Sequence, residues 1–419
     1  MRNVTSLILL TAALIIYLPS TALPAKDLTA STAEQYNARI LYSAMLAGDW
    51  LVNNQNKKTL WESDYFNGDY GRWLYEYNIK DGFWRGSVCW TMSTGIMDLM
   101  MLHQRTGWPE YKDAIERAAV YLKSLQILDV RNPRNFGAVR EMSQLDNYIF
   151  PRDGMTTVGG YLALYRFTKD TEYLDRAKMY ADWYLKCALN PETGWPYANF
   201  PFNTTEFDSS NKRMGYYQAG GGVFLYHLYK TTGNRKYFDD GTKHLADKFF
   251  EYFVNDDGSW KLEYNNDDFG AITLLCVYRE TNEKKYWQAV QNRIDQLISS
   301  QREDGAPVPG NTGGCYVAAL TALNMLDLAK EKGIEVDKPR LEKFIRRCSD
   351  FALTLQETDP EAGTKAYGAF YGQINLNDFR KEWLHARATT YSILFNLRYE
   401  GKIAVPFYSV HGWDDIKQE

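Results

Sequence analysis

Much of what usually assigns a chain to a class is missing from this one. Its five cysteines are an odd number with no Cys-x-x-Cys spacing, and no His-x-x-x-His accompanies them, so no zinc site is indicated. Cys89, Cys276 and Cys315 fall in helical apolar patterns, where an unbridged buried thiol is the ordinary condition. The net charge is only −4 and no stripe of Lys and Arg appears, which leaves no footprint for nucleic acid. No linker, low-complexity tract or change of composition divides the sequence, so residues 26–419 are expected to form one domain. Beyond the first residues there is no second long apolar run, and the mature chain is expected to be soluble.

The N-terminus reads as a secretory signal. Arg2 supplies the positive region, residues 7–18 the apolar core, and Ala22 and Ala25 offer cleavage sites, so residues 1–25 are expected to be removed on export to the periplasm or medium. The apolar run is short for a membrane span. What the chain has in excess is aromatic: 12 Trp and 31 Tyr. Such rings pack cores, and they also stack on the apolar faces of sugars.

A repeat organises the rest. Five times a helical pattern ends in a short polar turn and another begins at once, at Arg105-Thr106-Gly107, Thr168-Lys169-Asp170, Thr231-Thr232-Gly233, Glu280-Thr281-Asn282 and Glu331-Lys332-Gly333. Four of the following helices carry a tyrosine at a similar offset, Tyr111, Tyr173, Tyr237 and Tyr286. This repetition is the mark of stacked helical hairpins. Apolar periodicity gives twelve helices, at residues 32–53, 88–104, 110–125, 156–167, 172–189, 217–230, 236–253, 269–280, 284–300, 316–330, 338–355 and 382–399. The even-numbered ones are rich in glycine and small residues with few charges, as buried helices are, and the odd ones have one charged face. Six alternations of inner and outer helix make an all-α (α/α)6 toroid. Connections into the inner helices are long and those out of them short. All six inner N-termini therefore share one face, where their partial positive charge suits an anion.

The chemistry-bearing residues collect in those long connections. The first holds Asp81, Trp84 and Arg85, an acid, a ring and a base suited to a sugar; Asp81 also fits a helix cap with the rings as packing. The second holds Arg140, Glu141, Arg152 and Asp153. Asp153 fits two roles, a cap for the Met155 or Thr156 amide and a general acid made competent by desolvation. Arg152 suits a bidentate grip on a substrate carboxylate. The third offers Asp208, Arg213, Tyr216, Tyr217 and Gln218, and the fourth ends in Asp267-Asp268. In the last, Tyr371 is followed by Trp383 and His385, the histidine being a candidate second proton carrier.

Asp81-Gly82-Phe83-Trp84-x-Gly86, an inner helix, and Thr106-Gly107-x-x-x-Tyr111 together resemble the opening of the unsaturated glucuronyl hydrolases. The repeat pattern is similar over most of the chain; the motif itself covers little of it. The resemblance implies two aspartates at the starts of successive inner helices, one protonating the substrate and activating water. Asp153 occupies the first position. The second falls near Tyr217 or Gln218, where no acid stands. Related toroids include β-glucuronidases, uronate lyases and sugar epimerases.

These observations lead to an exported glycoside hydrolase that removes a terminal uronic acid and needs no cofactor or metal. Its partner is an oligosaccharide. Asp153 is the expected acid, with Glu141 or Asp208 as the second carboxylate. Arg152 or Arg213 would clamp the uronate, and Trp84, Tyr216 and Tyr217 would stack on rings. A lyase with Tyr217 or Tyr371 as base, an epimerase, and a glycan-binding protein without turnover are the alternatives.

Overall fold

Each of the five short turns halts its helix in the left-handed region, at Gly107, Lys169, Gly233, Asn282 and Gly333 (φ 74°, 63°, 70°, 57° and 66°). A left-handed residue just past a helix ends it because its amide turns back onto the last carbonyls. In the first four turns a threonine locks the reversal. The Thr106, Thr168, Thr232 and Thr281 hydroxyls each donate to the carbonyl four residues back, at 2.7–3.0 Å. Each also accepts the amide two residues ahead, at 3.1–3.3 Å. The repeat seen in the sequence is thus a hydrogen-bonded device.

The computed structural model describes residues 33–58, 69–86, 88–146, 148–197, 199–201, 221–261, 268–307, 312–372, 382–403 and 408–411. Contacts divide the chain into Met1–Arg39 and Ile40–Glu419, and the ring of inner helices described next belongs to the second unit. Twelve helices are found among the described residues. The inner ones are α2 (Cys89–Thr106), α4 (Pro151–Thr168), α6 (Gly222–Thr232), α8 (Asp268–Thr281), α10 (Thr312–Lys332) and α12 (Ala386–Glu400). Each packs on the next, and α12 packs back on α2, so the ring closes. The outer ones are α1 (Ala33–Asn54), α3 (Pro109–Leu125), α5 (Thr171–Trp183), α7 (His244–Phe253), α9 (Lys284–Ser299) and α11 (Lys338–Leu353). Wide π turns extend α5 through Tyr184–Ala188 and precede α7 at Tyr237–Lys243. No described helix is long and apolar enough to cross a membrane.

The small residues of the inner helices are spacing devices. A Cβ on Gly160 would sit 3.0 Å from the Ser93 Cβ, so α2 and α4 approach as only glycine permits. The repeat tyrosines act as tethers: the Tyr111, Tyr237 and Tyr286 hydroxyls donate to Asp49, Asp182 and Asp247 on the preceding outer helix. Many other tyrosines, including Tyr121, Tyr161, Tyr180, Tyr184, Tyr226 and Tyr316, are fully buried. The core therefore takes up much of the tyrosine excess.

Two of the helix starts that differ from the sequence reading bear on the site. α4 begins at Pro151, five residues earlier than the periodicity indicated, because proline at the first helical position costs no hydrogen bond. Residues 383–385 form a strand rather than the first turn of α12. β1 (Glu76–Asn78) is the middle strand of an antiparallel sheet, flanked by β2 (Phe83–Arg85) and β5 (Trp383–His385). β3 (Tyr148–Ile149) and β4 (Phe200–Pro201) make a second, two-stranded sheet. Both lie among the long connections.

Candidate active site

The three-stranded sheet sets one row of charge by register. Glu76 stands opposite Arg85 on β2 and opposite His385 on β5. Directly opposed residues of neighbouring strands point to one face, so all three side chains meet. The Glu76 carboxylate accepts from Arg85 Nε and lies against His385 Nε2. Burial pushes its pKa up, but the histidine and arginine outweigh that and hold it below the usual carboxylate value. His385 is almost fully buried, and burial lowers its pKa although Glu76 works the other way. A neutral imidazole beside a carboxylate already paired with Arg85 satisfies both trends. Its ring meets Tyr75 edge-on at 4.4 Å and leaves no room for a Cβ on Gly372.

A second cluster forms at the start of α4. Phe150 is the N-cap residue, so Asp153 lies inside the first turn and does not cap the helix. It accepts Arg152 Nε and Nη2 at 3.2 and 3.1 Å on one carboxylate oxygen. It also shares a hydrogen bond with Glu141. Glu141 is buried, and its backbone is pinned by an amide bond to Tyr148 O (3.0 Å) and by Cys89 N donating to its carbonyl (2.7 Å). The Cys89 thiol donates to its carboxyl Oε2 at 3.5 Å. Burial, then the charge of Asp153, drives the Glu141 pKa well above the normal range. Two carboxyls this close cannot both ionise. The proton therefore resides on Glu141.

Arginines gather around one indole. The Arg152 and Arg387 guanidinium carbons lie 5.8 and 5.5 Å from the Trp90 ring centre. Trp90 opens α2 and Arg387 lies in the first turn of α12, each nearly buried. Tyr75 joins the two clusters. Burial raises its pKa to about 12, Arg387 and Arg152 pull it down, and Glu76 and Asp153 push it up, so its phenol is within electrostatic reach of all four. The starts of α12, α2 and α4, consecutive in the ring, thus surround one site. It holds a protonated acid hydrogen-bonded to a carboxylate, two arginines, a neutral histidine and a tryptophan. Such a set can exchange a proton with a bound molecule and hold an anion beside it.

Many solved structures share this architecture. A cellobiose 2-epimerase from Bacillus thermoamylovorans superposes with a TM-score of 0.67 at 11% identity, covering 88% of this chain and 100% of its own. An unsaturated glucuronyl hydrolase from Bacillus sp. GL1 gives 0.62 at 14%, covering 89% and 100%. A glycoside hydrolase family 76 mannosidase from Bacteroides thetaiotaomicron gives 0.61 at 12%, covering 86% and 98%. The chain has the six-hairpin glycosidase fold. No family profile matches its sequence, and no curated protein is significantly similar to it.

Within this six-hairpin ring the residues singled out from sequence take different places. Asp153, Glu141, Arg152, Arg85 and His385 converge as described. Asp81 sits exposed in the β1–β2 turn, its amide donating to Asn78 Oδ1 at 2.8 Å, and it does not cap α2, whose N-cap residue is Val88. Trp84 pairs with Tyr77, on the sheet face away from Glu76, and packs 5.8 Å from Trp50. Tyr371 donates its hydroxyl to Glu357, and burial and that carboxylate raise its pKa, which makes it a poor base. Asp208, Arg213, Tyr216, Tyr217 and Gln218 lie outside the described residues, as does the side chain of Asp268 at the start of α8. Sequence reasoning missed Tyr75, Glu76, Trp90 and Arg387. Of these only Arg387 left a signal, as the one charge in α12 before its last turn.

Proposed function

We propose that the chain is a carbohydrate-active enzyme, a glycoside hydrolase that acts on a terminal uronic acid of an oligosaccharide, with Asp153 as the proton-transfer group. The observation that carries this reading is the Glu141–Asp153 carboxyl pair beside Arg152 and Arg387. Glycosidases with two opposed carboxylates keep them about 5–5.5 Å or roughly 6.5–9.5 Å apart. Glu141 and Asp153 interact directly with each other rather than facing one another across a scissile bond, so Glu141 serves as the proton partner of Asp153 from the same side. An arrangement that delivers and takes back a proton at one position suits addition of water to the double bond of an unsaturated uronic acid.

The arginines supply the trigger. Arg152 pairs with Asp153. A substrate carboxylate between Arg152 and Arg387 competes for that guanidinium. Asp153 then loses its counter-charge and takes the proton from Glu141, since loss of an opposite charge favours the neutral acid. Asp153 delivers this proton to the substrate, water adds to the carbon left electron-poor, and the proton that water releases returns to the pair. One water is consumed and the carboxyls end as they began. No cofactor enters. Similarity of fold to the glucuronyl hydrolase and the mannosidase supports the hydrolase class, and the N-terminal signal pattern supports export.

An epimerase is the second reading, supported by the neutral His385 beside Tyr75 and by the likeness of fold to the cellobiose 2-epimerase. Asp153→Asn separates the two. For the hydrolase, this variant loses release of the terminal uronic acid by a factor of about 100 or more while substrate binding persists. Equal rates in wild type and variant would refute the assignment.

A further inference from the structure

The last described residues of the chain run into the middle of the ring. Tyr408, Ser409 and Val410 are almost completely buried. The Tyr408 ring packs on Phe224 of α6 at 5.1 Å, Phe269 of α8 at 4.6 Å and Tyr391 of α12 at 5.9 Å. Asn324, buried on α10, donates to Tyr408 O (2.9 Å) and accepts from Val410 N (2.8 Å), and Arg398 of α12 donates to the same Tyr408 carbonyl (3.2 Å). Trp90 of α2 donates its indole Nε1–H to the Tyr408 hydroxyl at 3.2 Å. Five of the six inner helices thus grip one short segment. Tyr408 also has φ 52°, a left-handed conformation that is a genuine outlier for a bulky aromatic and persists only where the surroundings over-determine it.

We propose that this C-terminal segment plugs the axis of the toroid, and that Tyr408 is a positioning residue. Its hydroxyl fixes Trp90 between Arg152 and Arg387, so that the site is a blind pocket that admits only the end of a glycan. This rests on the functional reading above and adds the reason for end specificity. With the axis filled, a polymer has no path through the ring, and a terminal residue bottoms against Trp90. The indole sets the gap between the two arginines, and that gap selects a carboxylate over a hydroxymethyl group. Nothing in the sequence marks Tyr408, because the fold alone returns the tail to the first inner helix.

The test is Tyr408→Phe in the full chain, which keeps the packed ring and removes only the hydroxyl. Two quantities are read: KM for a uronate-ended oligosaccharide against its carboxyl-reduced counterpart, and amide exchange in the first turn of α2. Loss of an ordinary hydrogen bond predicts a KM about fivefold higher for the acid-ended substrate. The kcat should change little, KM for the reduced substrate should stay put, and exchange at residues 89–92 should quicken. A purely structural role would move both KM values together. Wild-type KM ratio and exchange in the variant would overturn the positioning role. Release of internal fragments from a long polymer by wild type would overturn the blind pocket. If wild type acts on neither substrate, the functional reading falls, while the exchange rates still decide the role of Tyr408.

Discussion

Replacing Glu141 by glutamine tests the carboxyl pair on stability and on rate at once. The amide has the same shape, can donate to Asp153 and can still accept the Cys89 thiol, so near pH 5 the fold should change by no more than about 1 kcal/mol. At higher pH the two proteins should diverge. The folded wild type keeps a proton on Glu141 that the unfolded chain releases above the ordinary value of 4.5. Its stability therefore falls as pH rises from there toward the elevated folded value, by about 1.4 kcal/mol for each pH unit of that window. Glutamine has no proton to hold, so the variant should be the more stable protein at pH 8 and should lack this slope. On rate, the variant cannot hand a proton to Asp153, and kcat should drop about 100-fold or more with little change in KM. Because the pair acts as a unit, the Glu141→Gln/Asp153→Asn double variant should be no slower than the slower single one. Urea melts at pH 5 and pH 8 and steady-state rates provide both readouts. A wild-type pH slope in the variant would mean that Glu141 is already ionised in the fold, and full kcat would mean that its proton is not used.

Acid should weaken the Glu76–His385 cluster. His385 is held neutral by burial, so below about pH 6.5 the unfolded chain binds a proton that the folded chain resists, and stability falls. His385→Gln should shrink this loss when melting temperature is followed from pH 7 to pH 5; an unchanged slope would contradict it. Gly154→Ala probes the setting of Asp153. The new Cβ would press on the Tyr180 hydroxyl, which donates to Pro151 O at 2.6 Å and anchors the first turn of α4. Overpacking of this kind should cost about 1–3 kcal/mol in a denaturant melt and lower activity as Asp153 shifts; a neutral outcome would show that the turn is not held there.

How far the sequence could be read depended on whether a feature was local. The Thr106, Thr168, Thr232 and Thr281 turns were legible because hydroxyl, left-handed residue and following tyrosine sit within a few positions of one another. The alternation of small and charged helices then sufficed for the ring and for the face that carries the site. Asp153, Glu141 and Arg152 were legible as candidates because one connection carries all three. The partnership of Asp153 with Glu141 was legible only as one of two alternatives, beside Asp208, and Pro151 disguised the helix start that excludes Asp153 as a cap. Glu76 was invisible because its meaning arises only from strand register with Arg85 and His385, far apart in sequence. Trp84 misled for the converse reason: a ring next to Arg85 in sequence lies on the opposite face of a strand. The tyrosine count misled as well, since most of those rings fill the core or tie outer helices together.

The most direct measurement is the mass of the products formed from a uronate-ended oligosaccharide in water enriched in heavy oxygen. Wild type should release the terminal residue with one heavy oxygen incorporated, and Asp153→Asn should not. A product of unchanged mass, an elimination product without added water, or equal incorporation by the variant would contradict this.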